Sequence, residues 1–380
     1  MIARKKALAS VALFASAAFV LTACAAAEEE AAVEETTTAA TEAAASTLSG
    51  TLIGAGASSQ GSAQETWVAG FQIANPEVTV SYDPIGSGGG RETFQNGASS
   101  FAGSDRAFKV DEIAAGPFAS CVEEAGIWEI PAYISPIAVI FSVEGVTSLN
   151  LDADTLAQIF TGEITNWTDA AITAQNDGVN LPDLAITAVH RSDDSGTTAN
   201  FTDYLSKASE DFWVLGGENA GSFETWPAEW GGEGAQGTSG VVDTVTNGVG
   251  TIGYADASRA GNLGTVSVKV GEEYVPYSAE AAAAIVDASP AANAGERGDN
   301  DLAIELDRAT KATGTYPIVL VSYLVGCNDY ADDSVVELVK GYIGYIVSEE
   351  GQLAGQAAAG NAPISAALRT AAVAILEGLK

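Results

Sequence analysis

The chain is predicted to adopt an α/β fold, and three features carry that prediction. Apolar runs bounded by glycine and proline alternate with stretches of helical period. One junction, a strand running through a Ser/Gly-rich turn into a helix, recurs three times. Beyond an acidic N-terminal tract roughly 330 residues remain, a length that suits two domains with a core each.

In chain order, Thr51 to Ala55 reads as a strand, Ser62 to Asn75 as a helix and Val78 to Ile85 as a strand. Gly86-Ser87-Gly88-Gly89-Gly90 then turns into a helix over Arg91 to Asn96. Ile137 to Val143 is a strong strand and Ala153 to Thr161 a helix. Ala185 to His190 is a strand that enters Arg191-Ser192-Asp193-Asp194-Ser195-Gly196-Thr197-Thr198, with a helix over Ala199 to Ser206. Strands at Thr251 to Tyr254 and Ile318 to Tyr323, and helices at Ser334 to Val347 and Ile364 to Leu379, complete the pattern. No repeat of solenoid length is present.

The N-terminus has a different character. Arg4, Lys5 and Lys6 precede an apolar run from Ala7 to Val20 and the tetrapeptide Leu21-Thr22-Ala23-Cys24. Residues 1–23 therefore read as a secretory signal, the apolar run being too short for a transmembrane anchor, and the tetrapeptide resembles a bacterial lipobox, which implies Cys24 as the site of lipid attachment. The segment 24–47 is Ala, Glu and Thr with no aromatic residue, so it reads as a solvated tether, with a surface helix as the alternative. The globular part is thus expected on the extracellular face of a membrane, held by lipid.

Composition narrows the partners. Fifty acidic residues against sixteen basic ones give a net charge of −34, which leaves no basic face for nucleic acid. Acidity does not exclude a small anion, since a buried site answers to local N–H donors. One histidine and no cysteine pair at metal spacing argue against metal chemistry, and no cofactor is expected. Cys121 and Cys327 are left as an even pair in an oxidising compartment, favouring a disulfide over two buried thiols.

The three junctions carry the functional signal. They are Gly54-Ala55-Gly56-Ala57-Ser58-Ser59, Gly86-Ser87-Gly88-Gly89-Gly90 and Asp193-Asp194-Ser195-Gly196-Thr197. The first N–H groups of a helix lack internal partners and its dipole favours negative charge there, so each junction is a candidate oxyanion clamp. Singly, each is more simply an ordinary N-cap after a turn. Neither glycine loop matches a nucleotide-binding fingerprint.

Six motifs in order resemble the high-affinity phosphate-binding proteins of bacterial Pst-type ABC importers. They are Gly54-Ala55-Gly56-Ala57, Ile85-Gly86-Ser87-Gly88, Gly103-Ser104-Asp105, Phe160-Thr161-Gly162 with Asn166-Trp167, Arg191-x-Asp193-x-Ser195-Gly196-Thr197, and Gly253-Tyr254. The resemblance implies a two-domain periplasmic-binding-protein fold of type II, with a hinged cleft between lobes. It implies domain I from 48–133 plus 316–380 and domain II from 134–315, crossing near residues 134–140 and 314–318. Inorganic phosphate is the implied ligand, an ABC transporter permease the implied partner, and a monomer the expected state.

Residue by residue, the resemblance puts phosphate donors at Ser58, Ser59 and Ser87 on one lobe and at Arg191, Ser195, Gly196 and Thr197 on the other. Asp105 would be the sole acceptor and Asp193 would hold the arginine. Arg191 can present two parallel N–H bonds, which a lysine cannot. Asp105 has a use because phosphate near neutrality carries a proton, while sulfate does not; its plain alternative is an N-cap before Phe108 to Ile113. Two departures stand out: many relatives have an aromatic residue and a proline at Ser59-Gln60, and a glycine at Asp194.

Three other readings stand beside this one. Sulfate, molybdate or phosphonate would suit a similar site. A secreted hydrolase would use Ser195 as nucleophile with His190 as base, although His190 is more simply a packing residue. A surface adhesin would suit an acidic lipoprotein but needs no anion clamps. The six tryptophans, irregularly spaced, read as core and rim packing before sugar stacking.

Overall fold

The structure is a computed structural model that describes residues 47–292 and 295–380. The signal at 1–23, the lipidation at Cys24 and nearly all of the 24–47 tether lie outside the described residues.

The strands are β1 (Gly50–Gly56), β2 (Val78–Asp83), β3 (Phe101–Ser104), β4 (Ile127–Ser142), β5 (Ser148–Leu151), β6 (Thr187–Arg191), β7 (Val214–Leu215), β8 (Glu218–Asn219), β9 (Glu233–Ala235), β10 (Thr251–Asp256), β11 (Gly264–Val270), β12 (Glu273–Val275) and β13 (Val319–Cys327). The helices are α1 (Gly61–Ala74), α2 (Ser87–Gln95), α3 (Val110–Ala115), α4 (Ala153–Phe160), α5 (Ala170–Thr173), α6 (Gly196–Ala208), α7 (Gly237–Asn247), α8 (Ala279–Asp287), α9 (Val336–Val347), α10 (Glu349–Ala359) and α11 (Ala366–Glu377).

The principal strand path runs β2-β1-β3-β13-β4-β10-β6-β9. It changes partner inside β4. Ile127 to Pro136 pairs antiparallel with β13, and Ile137 to Ser142 pairs with β10. One group of strands therefore gathers β1, β2, β3 and β13, and a second gathers β6, β9 and β10. Both faces of β4 are buried from Ile127 to Phe141, which is why it reads as a continuous apolar run and not as an alternation.

The core follows from large side chains. Trp67, Trp128, Trp167 and Trp213 are wholly buried, and the Trp67 indole donates to the Gly351 carbonyl at 2.6 Å. Cys121 and Cys327 form a disulfide across 206 residues, with Cα atoms 5.2 Å apart.

Several helix starts differ from expectation. Helix α2 begins at Ser87 and not at Arg91, so the glycine run is its first turn. A Cβ at Gly90 would lie 2.3 Å from the Gly56 Cα, and only glycine lets α2 sit that close to β1. Likewise α6 begins at Gly196 and not at Ala199. Helix α10 and strand β3 were not foreseen: α10 is rich in glycine and alanine, and β3 is only four residues long.

Candidate functional site

Each of the three junctions ends a strand and opens a helix. After β1, Gly56 turns with φ +147°, Ala57 donates to the Gly103 carbonyl at 2.8 Å, and a 3₁₀ turn over Ser58–Gln60 leads into α1. Gly86 takes φ +96°, its N–H donates to the Gly56 carbonyl at 2.8 Å, and α2 starts at the next residue. After β6, Ser195 caps α6 by accepting from the Thr198 N–H at 3.1 Å. Capping uses the oxygen of Ser195 and leaves its proton to donate elsewhere.

Asp105 lies at the centre and is 2 % exposed. Its Oδ1 accepts from the Ser59 hydroxyl at 2.5 Å and the Ser322 hydroxyl at 2.7 Å, and its Oδ2 from the Thr197 hydroxyl at 3.0 Å. The Asp105 N–H donates to the Ser87 Oγ at 3.1 Å, and the Asp105 carbonyl accepts from Asn200 at 2.6 Å. Asp105 caps no helix, because Lys109 holds the N-cap of α3. Burial raises its pKa, and the hydroxyls of Ser59, Ser322 and Thr197 with the charge of Arg191 oppose that rise.

Arg191, also 2 % exposed, is clamped by Asp193: its Nε donates to Oδ1 at 2.8 Å and its Nη2 to Oδ2. Burial alone would raise the Asp193 pKa, but the bonds and charge of Arg191 outweigh it and the pKa is lowered. The Asp193 Oδ1 also accepts from the Gly237 N–H at 3.0 Å, so the clamp is tied to the start of α7. Behind the arginine, its N–H donates to the Tyr254 hydroxyl at 3.3 Å.

Of the expected ligand residues, Ser59, Ser87, Asp105, Gly196 and Thr197 therefore meet directly. A Cβ at Gly196 would fall 2.5 Å from the Ser87 Oγ and 2.6 Å from the Asp105 Cβ. Arg191 stands at the edge of this cluster, its Nη2 3.5 Å from where a Gly86 Cβ would lie. Ser58 is placed differently, at the rim, where its hydroxyl meets the Thr238 hydroxyl at 3.0 Å.

Both departures have local explanations. Gln60, wholly buried, donates to the Ser322 Oγ at 2.6 Å and thereby aims that hydroxyl beneath Asp105. Asp194 is exposed and its carboxylate accepts from the Thr225 hydroxyl, while its carbonyl accepts from the Gly88 N–H at 3.1 Å.

His190 stacks on Trp226, ring centroids 5.0 Å apart, and its Nδ1 lies 2.9 Å from the Arg191 carbonyl. Burial lowers its pKa, and among the described residues no hydrogen bond joins it to Ser195. No group of three or more His, Cys, Asp or Glu among the described residues could hold a metal ion.

Four contributing residues were not foreseen. Ser322 interrupts an apolar run, a signal that was visible but unread. Tyr254 was quoted in a motif without a role, and its hydroxyl also meets that of Thr198 at 2.8 Å. Asn200 and Arg308 carry no motif; Arg308, buried, donates to the Asn200 Oδ1 and to the Pro317 and Val319 carbonyls at 3.0 and 2.6 Å.

Two groups of strands joined through β4 thus bring helix starts to face one another around the buried Asp105 carboxylate and the buried Arg191 guanidinium, a two-lobed arrangement with its donors at the junction. A model of the PBP superfamily domain matches residues 41–350. The phosphate-binding protein PstS 3 of Mycobacterium tuberculosis is 34% identical over 342 residues, covering 88% of this chain and 89% of that protein. PstS of Xylella fastidiosa is 32% identical over 281 residues, covering 73% and 72%. Among solved structures, a high-affinity periplasmic phosphate-binding protein with bound phosphate, PfluDING, superposes with a TM-score of 0.68 at 22% identity, covering 86% of this chain and 93% of that one. A putative phosphate ABC transporter substrate-binding protein from Clostridium perfringens, with bound phosphate, gives 0.59 at 20% identity, covering 83% and 100%. The chain belongs to the PstS family of the PBP superfamily, and its fold is the two-lobe type II periplasmic-binding fold.

Proposed function

We propose that the chain captures inorganic phosphate in the cleft between its lobes and delivers it to an ABC import permease. The cluster around Asp105 is the observation that carries this reading: hydroxyls and helix starts from both strand groups converge on one buried carboxylate beside one buried arginine. The backbone N–H groups of Ser59, Gly196 and Thr197, the hydroxyls of Ser87 and Ser195 and the Arg191 guanidinium donate to the phosphate oxygens, with Ser58 assigned to join them from the rim, and Asp105 accepts the bond from the proton that phosphate carries. Asp193 holds Arg191 square to the ligand, which keeps its two parallel donors pre-organised.

The lobes are assigned as 48–133 with 316–380, and 134–315. The change of partner at Pro136 and Ile137 within β4 supports this boundary. Ligand favours the shut form because the two halves of the site meet only there. Delivery takes place at the extracellular face of a membrane, with lipid on Cys24 as the anchor and the protein acting as a monomer. No catalytic step is assigned: among the described residues no hydrogen bond joins the Ser195 hydroxyl to the His190 ring, which stacks on Trp226.

Arg191→Ala tests the reading. Calorimetry on the purified chain should show phosphate affinity falling by at least about 100-fold, as expected for loss of a bidentate charged donor. The melting temperature of the ligand-free protein should stay near that of wild type. Unchanged affinity would remove Arg191, and with it this site, from the account of binding.

A further inference from the structure

Glu224 lies in the stretch between β8 and β9, outside the set of residues assigned to the anion. Its carboxylate is gripped by two arginines from the other strand group. Arg91, on α2, reaches both oxygens with its Nη2 at 2.7 and 2.6 Å. Arg106, next to Asp105, reaches Oε2 with its Nε at 2.9 Å and its Nη2 at 2.7 Å.

Both arginines are tied into their own lobe. Arg91 Nη1 donates to the Ser104 hydroxyl at 2.7 Å, and Arg106 donates two hydrogen bonds to the Glu112 carboxylate, each at 2.7 Å. Two guanidinium groups against Glu112 alone leave one positive charge uncompensated, and Glu224 supplies the missing negative charge. The pair is partly buried, with side-chain exposures of 7% for Arg91 and 20% for Glu224, so solvent screens it less than a surface bridge.

Glu224 is equally tied to its own side. Its carbonyl accepts from the Ser195 N–H at 3.1 Å, at the N-cap of α6. On one flank Phe223 exchanges hydrogen bonds with the Thr202 hydroxyl, at 2.8 and 3.2 Å, and on the other Thr225 donates to Asp194. The stretch from 223 to 225 therefore moves with the start of α6. When the cleft shuts, the carboxylate meets the arginines and the same residue's carbonyl braces the loop that faces the anion.

We propose that Glu224 is a positioning residue that latches the cleft shut through Arg91 and Arg106 and so prolongs the bound state without touching the ligand. A contact made only in the shut form raises that form's population with or without ligand, and apparent affinity rises with the competent fraction. The inference rests on the phosphate reading only for its kinetic readout.

The test compares the full chain with Glu224→Gln, Arg106→Gln and the double variant, using phosphate as the probe. Glu224→Gln should speed phosphate dissociation in stopped flow by roughly 10- to 100-fold, the effect of neutralising one partner of a partly buried charge pair, with association within about threefold of wild type. Arg106→Gln alone should speed dissociation too, yet add little once Glu224 is already glutamine. Spin-label distances across the cleft of the anion-free protein should lengthen in Glu224→Gln while its melting temperature holds. Unchanged dissociation together with unchanged distances, or effects of the two substitutions that simply multiply, would overturn the latch. If wild type binds no phosphate, the functional reading fails, and the distances on anion-free protein still decide the latch.

Discussion

In the proposed function, Asp105 decides what kind of anion the site accepts. A buried carboxylate facing an anion is repulsive unless the ligand brings a proton, and burial already raises the pKa of Asp105. Three hydroxyls around it, from Ser59, Ser322 and Thr197, hold the charged form in place. Asp105→Asn removes the repulsion and can donate as well as accept. The substitution should let sulfate compete, raising its affinity relative to phosphate by on the order of 100-fold or more; competition calorimetry at pH 7 measures the ratio, and a variant that rejects sulfate as wild type does would show that Asp105 does not read the proton. The sequence made Asp105 and Arg191 legible because they sit in motifs. Ser322 was not, since it reaches Asp105 from 217 residues away and only the pairing of β13 with β3 brings it there. Glu224 stands in a loop with no pattern at all, and its role exists only where the lobes meet.

At the scale of elements, the site is made of helix starts, and glycine sets how closely they approach. Sequence reasoning identified all three junctions but ended the turns too late, at Arg91 and Ala199, because glycine runs read locally as loop. The folded chain uses those glycines as first helical residues, where packing against β1 and against the opposite lobe overrides their low helix propensity. Gly196 separates these two demands. A methyl there would strike Ser87 and Asp105, contacts made only across the cleft. Gly196→Ala should therefore weaken phosphate binding by at least about tenfold while leaving the unfolding free energy of the ligand-free protein within about 1 kcal/mol of wild type. Urea unfolding paired with calorimetry checks both, and a large loss of stability with binding retained would contradict the placement of Gly196.

At the scale of the molecule, the alternation of elements and the length made the α/β class and two domains legible, while an unbroken apolar run hides the partner change within β4, and only the resemblance pointed to a crossing near residues 134–140. Near that change sits a buried titratable contact. Tyr133, on the β13-paired half of β4, donates to Asp256 at the end of β10, at 3.0 and 3.1 Å, and the Ser258 N–H donates at 3.0 Å. Burial pushes the Asp256 pKa up from 3.8 to about 6, against the bonds that it accepts. The protonated form is thus favoured by folding. Its stabilisation is full below about pH 4 and is lost as pH rises through about 6, roughly 3 kcal/mol in all. Asp256→Asn keeps an acceptor for Tyr133 without the titration, so wild type should lose about that much stability relative to the variant between pH 4 and pH 7. Parallel urea-unfolding curves across that range would contradict it.

One titration bears on the whole scheme: wild-type protein at pH 7 and fixed ionic strength, first with phosphate and then with sulfate competing. One phosphate should bind per chain, and sulfate should fail to displace it even at on the order of 1,000-fold excess, because a fully ionised anion meets the Asp105 charge with no proton to offer. Displacement of phosphate by sulfate at comparable concentration would mean that the convergent donors hold any tetrahedral anion and that the buried carboxylate plays no part in the choice.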